Sequence, residues 1–147
     1  MWTLLMQSLR YNAPMEYIAQ HLISGQTVRM FIADGKFLPV SPVANQETDL
    51  YLTPGFCDLQ VNGGFGIDLN GKDLTVDQVI QLNQRLLQQG VTAWCPTVIT
   101  GKHDWMLRNL AMIDAACCAE PLVAACMAGI HLEGPFLTLT GALPKDA

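Results

Sequence analysis

The chain has 147 residues, half of them hydrophobic and 14% charged, a balance that suits a buried core and excludes a disordered polar tail. Eight Lys and Arg against 13 Asp and Glu leave a net charge of −5, which argues against a nucleic-acid surface. No apolar run approaches the roughly 20 residues of a membrane-spanning helix, and Met1-Trp-Thr-Leu-Leu-Met6 has neither the basic start nor the cleavage site of a signal peptide, so a cytoplasmic protein with no membrane partner is expected.

Residues 1–9 are strand-like. Residues 12–24 are ambiguous: Met15, Ile18, Ala19 and Leu22 have helical spacing, but Pro14 and the polar residues weaken it. Residues 27–32 alternate and favour β structure; Asp34-Gly35 and a second run over 36–40 then predict a hairpin. Residues 41–49 are polar and turn-rich. The first 50 or so residues therefore read as a small β unit.

From residue 50 the pattern changes to alternating strand and helix. A strand over 52–61 is closed by Asn62-Gly-Gly-Phe-Gly66. Thr75 and Gln78 have the spacing of a capping box, followed by an apolar stripe of Val76, Val79, Ile80, Leu82, Leu86 and Leu87, with Gly90 suited to the helix end. A second strand covers 91–99, in which Pro96 predicts a bulge or a strand end. Met106, Leu110, Ile113 and Cys117 form a second helical stripe that Pro121 ends, and a third strand covers 127–132. This order predicts an α/β fold with a parallel sheet and right-handed crossovers. Each strand then ends in small or polar residues on one common face, where such folds place their sites.

On that face Glu133 is the sharpest candidate. It follows an apolar strand and precedes Gly134-Pro135, and it reads as a metal ligand or general acid/base, as a solvated loop carboxylate, or as one paired with a nearby cation such as Lys145. His131, two residues earlier, projects to the same side and is either a joint ligand or a core histidine held by a hydrogen bond. Gln60 and Asn62 share one side of the first strand. Amides are weak zinc ligands, so these two would bond substrate or water, or serve the turn at Asn62-Gly63. Gly63, Gly64 and Gly66 could approach a phosphate, but their spacing is neither the dinucleotide nor the P-loop pattern, and a sharp turn is the plainer reading. His103 starts a helix and is expected to be exposed, and His21 has no evident partner. The five cysteines (57, 95, 117, 118 and 126) show no zinc-site spacing and read as small buried hydrophobes in a reducing compartment.

Leu52-Thr-Pro-Gly-Phe-Cys-Asp-Leu-Gln-Val-Asn-Gly-Gly64, Cys95-Pro-Thr97 and His131-Leu-Glu-Gly-Pro-Phe136 together resemble the N-acetylglucosamine-6-phosphate deacetylases of the amidohydrolase superfamily. Ile32-Ala-Asp-Gly-Lys36 resembles the hairpin of that family's small β domain, and Gly141-Ala-Leu-Pro-Lys-Asp-Ala147 its next loop. The resemblance implies a (β/α)8 TIM barrel, with residues 52–147 as its first β/α units and residues 1–51 as part of a small β-sandwich. It implies hydrolysis of the acetamide of an amino-sugar phosphate, with a divalent metal, usually zinc, activating water. Glu133 inherits the role of metal ligand, and Gln60 and Asn62 match the branch that has Gln-x-Asn in place of His-x-His. Substrate contacts fall near Ala142 and Leu143, although the family loop usually carries a histidine where Leu143 stands.

A barrel of this kind takes about 250 residues. The family's two histidine ligands and its proton-shuttling aspartate are therefore expected beyond Ala147, and no catalytic residue is expected within this chain. The expectation is an N-terminal portion of the enzyme, inactive by itself, with open apolar surfaces that favour a homo-oligomer or other self-association. The alternatives are a non-enzymatic remnant that acts as a self-associating or fragment-complementing module, and a complete small α/β domain without a metal.

Overall fold

Tyr17 and Ala19 are buried at alternate positions of one strand, and Met30 and Ile32 at alternate positions of the next. Two period-2 patterns that share one apolar face make a β ribbon, and that face organises the first part of the chain. The computed structural model describes residues 14–134; the strand expected over 1–9, and Ala142, Leu143 and Lys145, lie outside them. The chain divides into two units, Met1–Gly55 and Phe56–Ala147.

In the first unit β1 (Met15–His21) pairs antiparallel with β2 (Thr27–Ala33), placing Tyr17 opposite Met30 and Ala19 opposite Val28. The helical spacing of Met15, Ile18, Ala19 and Leu22 therefore misleads. The same segment carries Met15, Tyr17 and Ala19 at strand spacing, and only that set meets the alternating face of β2. The hairpin to β3 (Lys36–Phe37) forms as expected, with Asp34 and Gly35 at φ 51° and 71°, the left-handed pair that a two-residue turn requires. β4 (Ser41–Pro42) adds to β2, and β5 (Tyr51–Leu52) runs parallel to β1. The run 52–61 thus splits at Pro54-Gly55 into two strands that belong to different sheets.

The second unit opens with β6 (Phe56–Val61) and a small hairpin of β7 (Gly63–Gly64) and β8 (Ile67–Asp68). Helix α1 (Val76–Gln88) begins on the expected capping box: the Thr75 hydroxyl accepts from the Gln78 N–H, and the Gln78 side chain accepts from the Thr75 N–H. It buries Val79, Leu82, Leu86 and Leu87, and Gly90 follows it at φ 83°. β9 (Val91–Val98) leads to α2 (His103–Ala119). The buried stripe of α2 is Met106, Asn109, Ile113 and Ala116, rotated from the expected one so that Leu110 and Cys117 are half-buried. Pro121 ends α2 but also opens a short helix, α3 (Pro121–Cys126), at the position where proline's missing N–H costs nothing. The third strand is shorter than the expected 127–132: Met127 bridges to Trp94, and only β10 (His131–Leu132) continues the ladder.

The sheet order is β10-β9-β6, all parallel, so the chain is mixed α/β as its pattern predicts. β9 is central and meets all three helices. Pro96 sits opposite Val61, where the register shifts, in keeping with the expected bulge. The other strands are less covered: Phe56 and Leu59 of β6 are each 66% exposed.

The cysteines divide by burial. Only Cys126 is buried; Cys95 and Cys117 are half-buried, and Cys57 and Cys118 are exposed, contrary to the expectation of five buried thiols. Burial pushes the Cys117 thiol up, reinforced by Asp114 and Cys118, and pushes Cys126 up against an opposing bond from Asn83. Thiolate is the reactive form. Iodoacetamide at neutral pH is therefore expected to label Cys57 and Cys118 first and Cys126 only in denaturant, read by peptide mass; early labelling of Cys126 would show the packing around α3 to be wrong.

Candidate functional site

The sheet brings its candidate residues together at the carboxyl end of β6 and of β10. Strands lie about 4.8 Å apart, so residues two strands apart on a flat sheet are separated by roughly 10 Å. Yet the Gln60 Nε2 amide donates to Glu133 Oε2 at 3.5 Å, and His131 Nδ1 lies 3.2 Å from the Leu59 carbonyl. Side chains from both ends of the β10-β9-β6 order thus meet across β9. The Gln60–Glu133 contact is long and weak as a hydrogen bond, but it places an amide donor on one carboxylate oxygen.

Glu133 is held mainly by its backbone. Its N–H donates to the Val98 carbonyl at 2.9 Å, and its own carbonyl accepts from the Thr100 hydroxyl at 2.8 Å. Gly134 then turns the chain at φ 101°, a conformation that favours glycine. The Glu133 side chain is half-buried, and Lys145, the cation considered as its partner, is outside the described residues. His131 is also half-buried and not a core residue. A carbonyl can only accept, so the bond to Leu59 is made by an Nδ1–H of His131. Asn62 is exposed, and its carbonyl accepts from the Leu69 N–H at 3.1 Å, which ties it to the hairpin that follows.

The glycines serve that hairpin. Phe65 and Gly66 have φ 55° and 82°, a tight two-residue turn, and a Cβ on Gly63 (φ 147°) would stand 2.3 Å from the Ile67 carbonyl oxygen. The turn reading holds, and no feature of the hairpin favours a phosphate. His103 is exposed at the first turn of α2, and His21 has a partner after all, the Ser24 hydroxyl at 2.8 Å.

Asn70 is the site-forming residue that pattern reading missed. Its Nδ2 donates to the Thr97 carbonyl at 3.0 Å, and its Oδ1 accepts from the Ile99 N–H at 2.9 Å. In sequence, Asn70-Gly71 signals only a turn.

Among the described residues, no group of three or more His, Cys, Asp or Glu side chains could hold a metal ion. A catalytic zinc takes three protein ligands. Glu133 with one amide and a nearby imidazole therefore does not fit a zinc centre by itself.

No protein-family model matches the chain. The N-acetylglucosamine-6-phosphate deacetylase of Rattus norvegicus is 38% identical over 100 residues, 65% of this chain and 24% of the relative. That of Bacillus subtilis (strain 168) is 33% identical over 128 residues, 78% of this chain and 32% of the relative. The crystal structure of the N-acetylglucosamine-6-phosphate deacetylase from Pasteurella multocida matches with a TM-score of 0.65 at 23% identity, covering 85% of this chain and 36% of that one. The chain thus spans between 24% and 32% of the length of these curated relatives. In sequence and in fold, it is a relative of the N-acetylglucosamine-6-phosphate deacetylases.

Proposed function

We propose that this chain is one portion of a metal-dependent deacetylase that hydrolyses the acetamide of an amino-sugar phosphate, with residues 52–147 as the opening units of a (β/α)8 barrel and residues 1–51 as part of a β-sandwich. The observation that carries this reading is the placement of Glu133 at the tip of a parallel sheet, its backbone tied to β9 and one carboxylate oxygen facing Gln60. Among the described residues that contact occupies one carboxylate oxygen, and a carboxylate can offer its other oxygen to a cation. Glu133 is one donor of a divalent metal site, zinc by family resemblance, and the remaining donors come from outside the described residues. Gln60 orients the donor carboxylate, and by family resemblance substrate contacts are expected near Ala142 and Leu143, which lie outside the described residues.

Because one carboxylate falls short of the three ligands a catalytic zinc takes, the 147-residue polypeptide by itself is expected to release no acetate from N-acetylglucosamine 6-phosphate, with or without added zinc. Metal-dependent acetate release by the purified chain, abolished by a chelator, would refute the incomplete-site reading.

A further inference from the structure

Past the Val61–Pro96 pair, β6 has no further residue paired with β9. The next backbone groups that β9 would offer to a strand on that side are the Thr97 carbonyl and the Ile99 N–H, since neighbouring residues of a strand point their polar groups to opposite sides. The groups in between face β10: the Val98 carbonyl takes the Glu133 N–H. A side-chain amide carries one donor and one acceptor side by side, as a peptide unit does. Asn70 presents both to β9 and satisfies both orphan groups, at 3.0 and 2.9 Å. Asn70 is itself anchored, because its own N–H donates to Asp68 Oδ1 at 2.8 Å and the neighbouring Gly71 carbonyl accepts from Arg108 at 2.9 Å.

We infer that Asn70 is a positioning residue: its side chain stands in for a missing strand residue and holds the tip of β9 in the conformation on which Glu133 is seated. The route is short. Asn70 brackets Val98 by bonding the residues on either side of it, Val98 holds the Glu133 N–H, and Thr100, one residue beyond Ile99, holds the Glu133 carbonyl. The role as a metal-site support rests on the reading of Glu133 above; the clamp itself does not.

The test is amide hydrogen exchange by NMR on the 147-residue chain and three variants. Asn70→Ala removes both bonds, Asn70→Leu removes both but keeps most of the volume, and Asn70→Asp keeps the acceptor for Ile99. A hydrogen bond of ordinary net strength predicts exchange at Ile99 and Glu133 roughly tenfold faster in the alanine and leucine variants, an intermediate rate at Ile99 in the aspartate variant, and unchanged protection across α1. Leucine at wild-type protection would make the residue a space filler and overturn the inference. An equal loss of protection in α1 would do the same, since the substitution would then act on the whole fold. The readout needs no metal, so Asn70-dependent protection at Glu133 in a protein shown not to bind zinc would remove the metal reading and leave the clamp standing.

Discussion

Trp94→Ala is expected to cost the Phe56–Ala147 unit most of its stability. Trp94 is fully buried on the central strand, at 0% exposure, and its indole N–H donates to Asn83 Oδ1 at 2.8 Å. Removing a buried tryptophan side chain typically costs about 3–5 kcal/mol in lost burial and residual cavity. The truncation also strands a buried acceptor on Asn83, itself only 1% exposed, at a typical cost of about 1–3 kcal/mol. Whole domains are stable by only about 5–15 kcal/mol, so urea titration followed by circular dichroism is expected to show the transition lost or moved far to lower denaturant. Trp94→Phe keeps most of the volume and loses only the donor, and its midpoint is expected to fall between. An alanine variant with the wild-type midpoint would mean that Trp94 is not the core residue described.

Glu133→Gln is expected to remove most of the activity where the site can be completed. The informative host is a chimera in which residues 56–134 replace the corresponding segment of the Bacillus subtilis relative. Glutamine keeps the size and the backbone bonds to Val98 and Thr100 but removes the charge that a cation requires. Loss of an outer-sphere partner alone costs a metal site 10–100-fold, so loss of a direct ligand is expected to lower kcat/KM on the order of 100-fold or more by the same reasoning. Little change in the unfolding midpoint is expected, because the side chain is only half-buried. A Glu133→Gln chimera as active as its parent would place this carboxylate outside the reaction.

The parts of this fold legible in the sequence are those whose signal is local. The capping box at Thr75 and Gln78, the Asp34-Gly35 turn and the apolar stripe of α1 each declare themselves within a few residues. The misread parts depend on partners far along the chain. β1 shows as a strand only once β2 supplies the face that Tyr17 and Ala19 cover. The stripe of α2 rotates toward Asn109 and Ala116 because burial on β9 and the neighbouring helices decides which face turns inward. Pro121 marks a helix end and a helix start at once, and the pattern declared only the first. At the candidate site, Glu133 stands out in the sequence because a carboxylate between an apolar strand and Gly-Pro is conspicuous. Its approach to Gln60, 73 residues away, and the Asn70 clamp on β9 are products of the fold and have no signature in spacing.

The most direct measurement is the zinc content of the purified chimera after exhaustive dialysis, with glutamate and with glutamine at position 133. Zinc retained by the glutamate form and lost from the glutamine form is the expected result. Equal zinc in both forms would contradict the assignment of Glu133 as a ligand, whatever the activity of either protein.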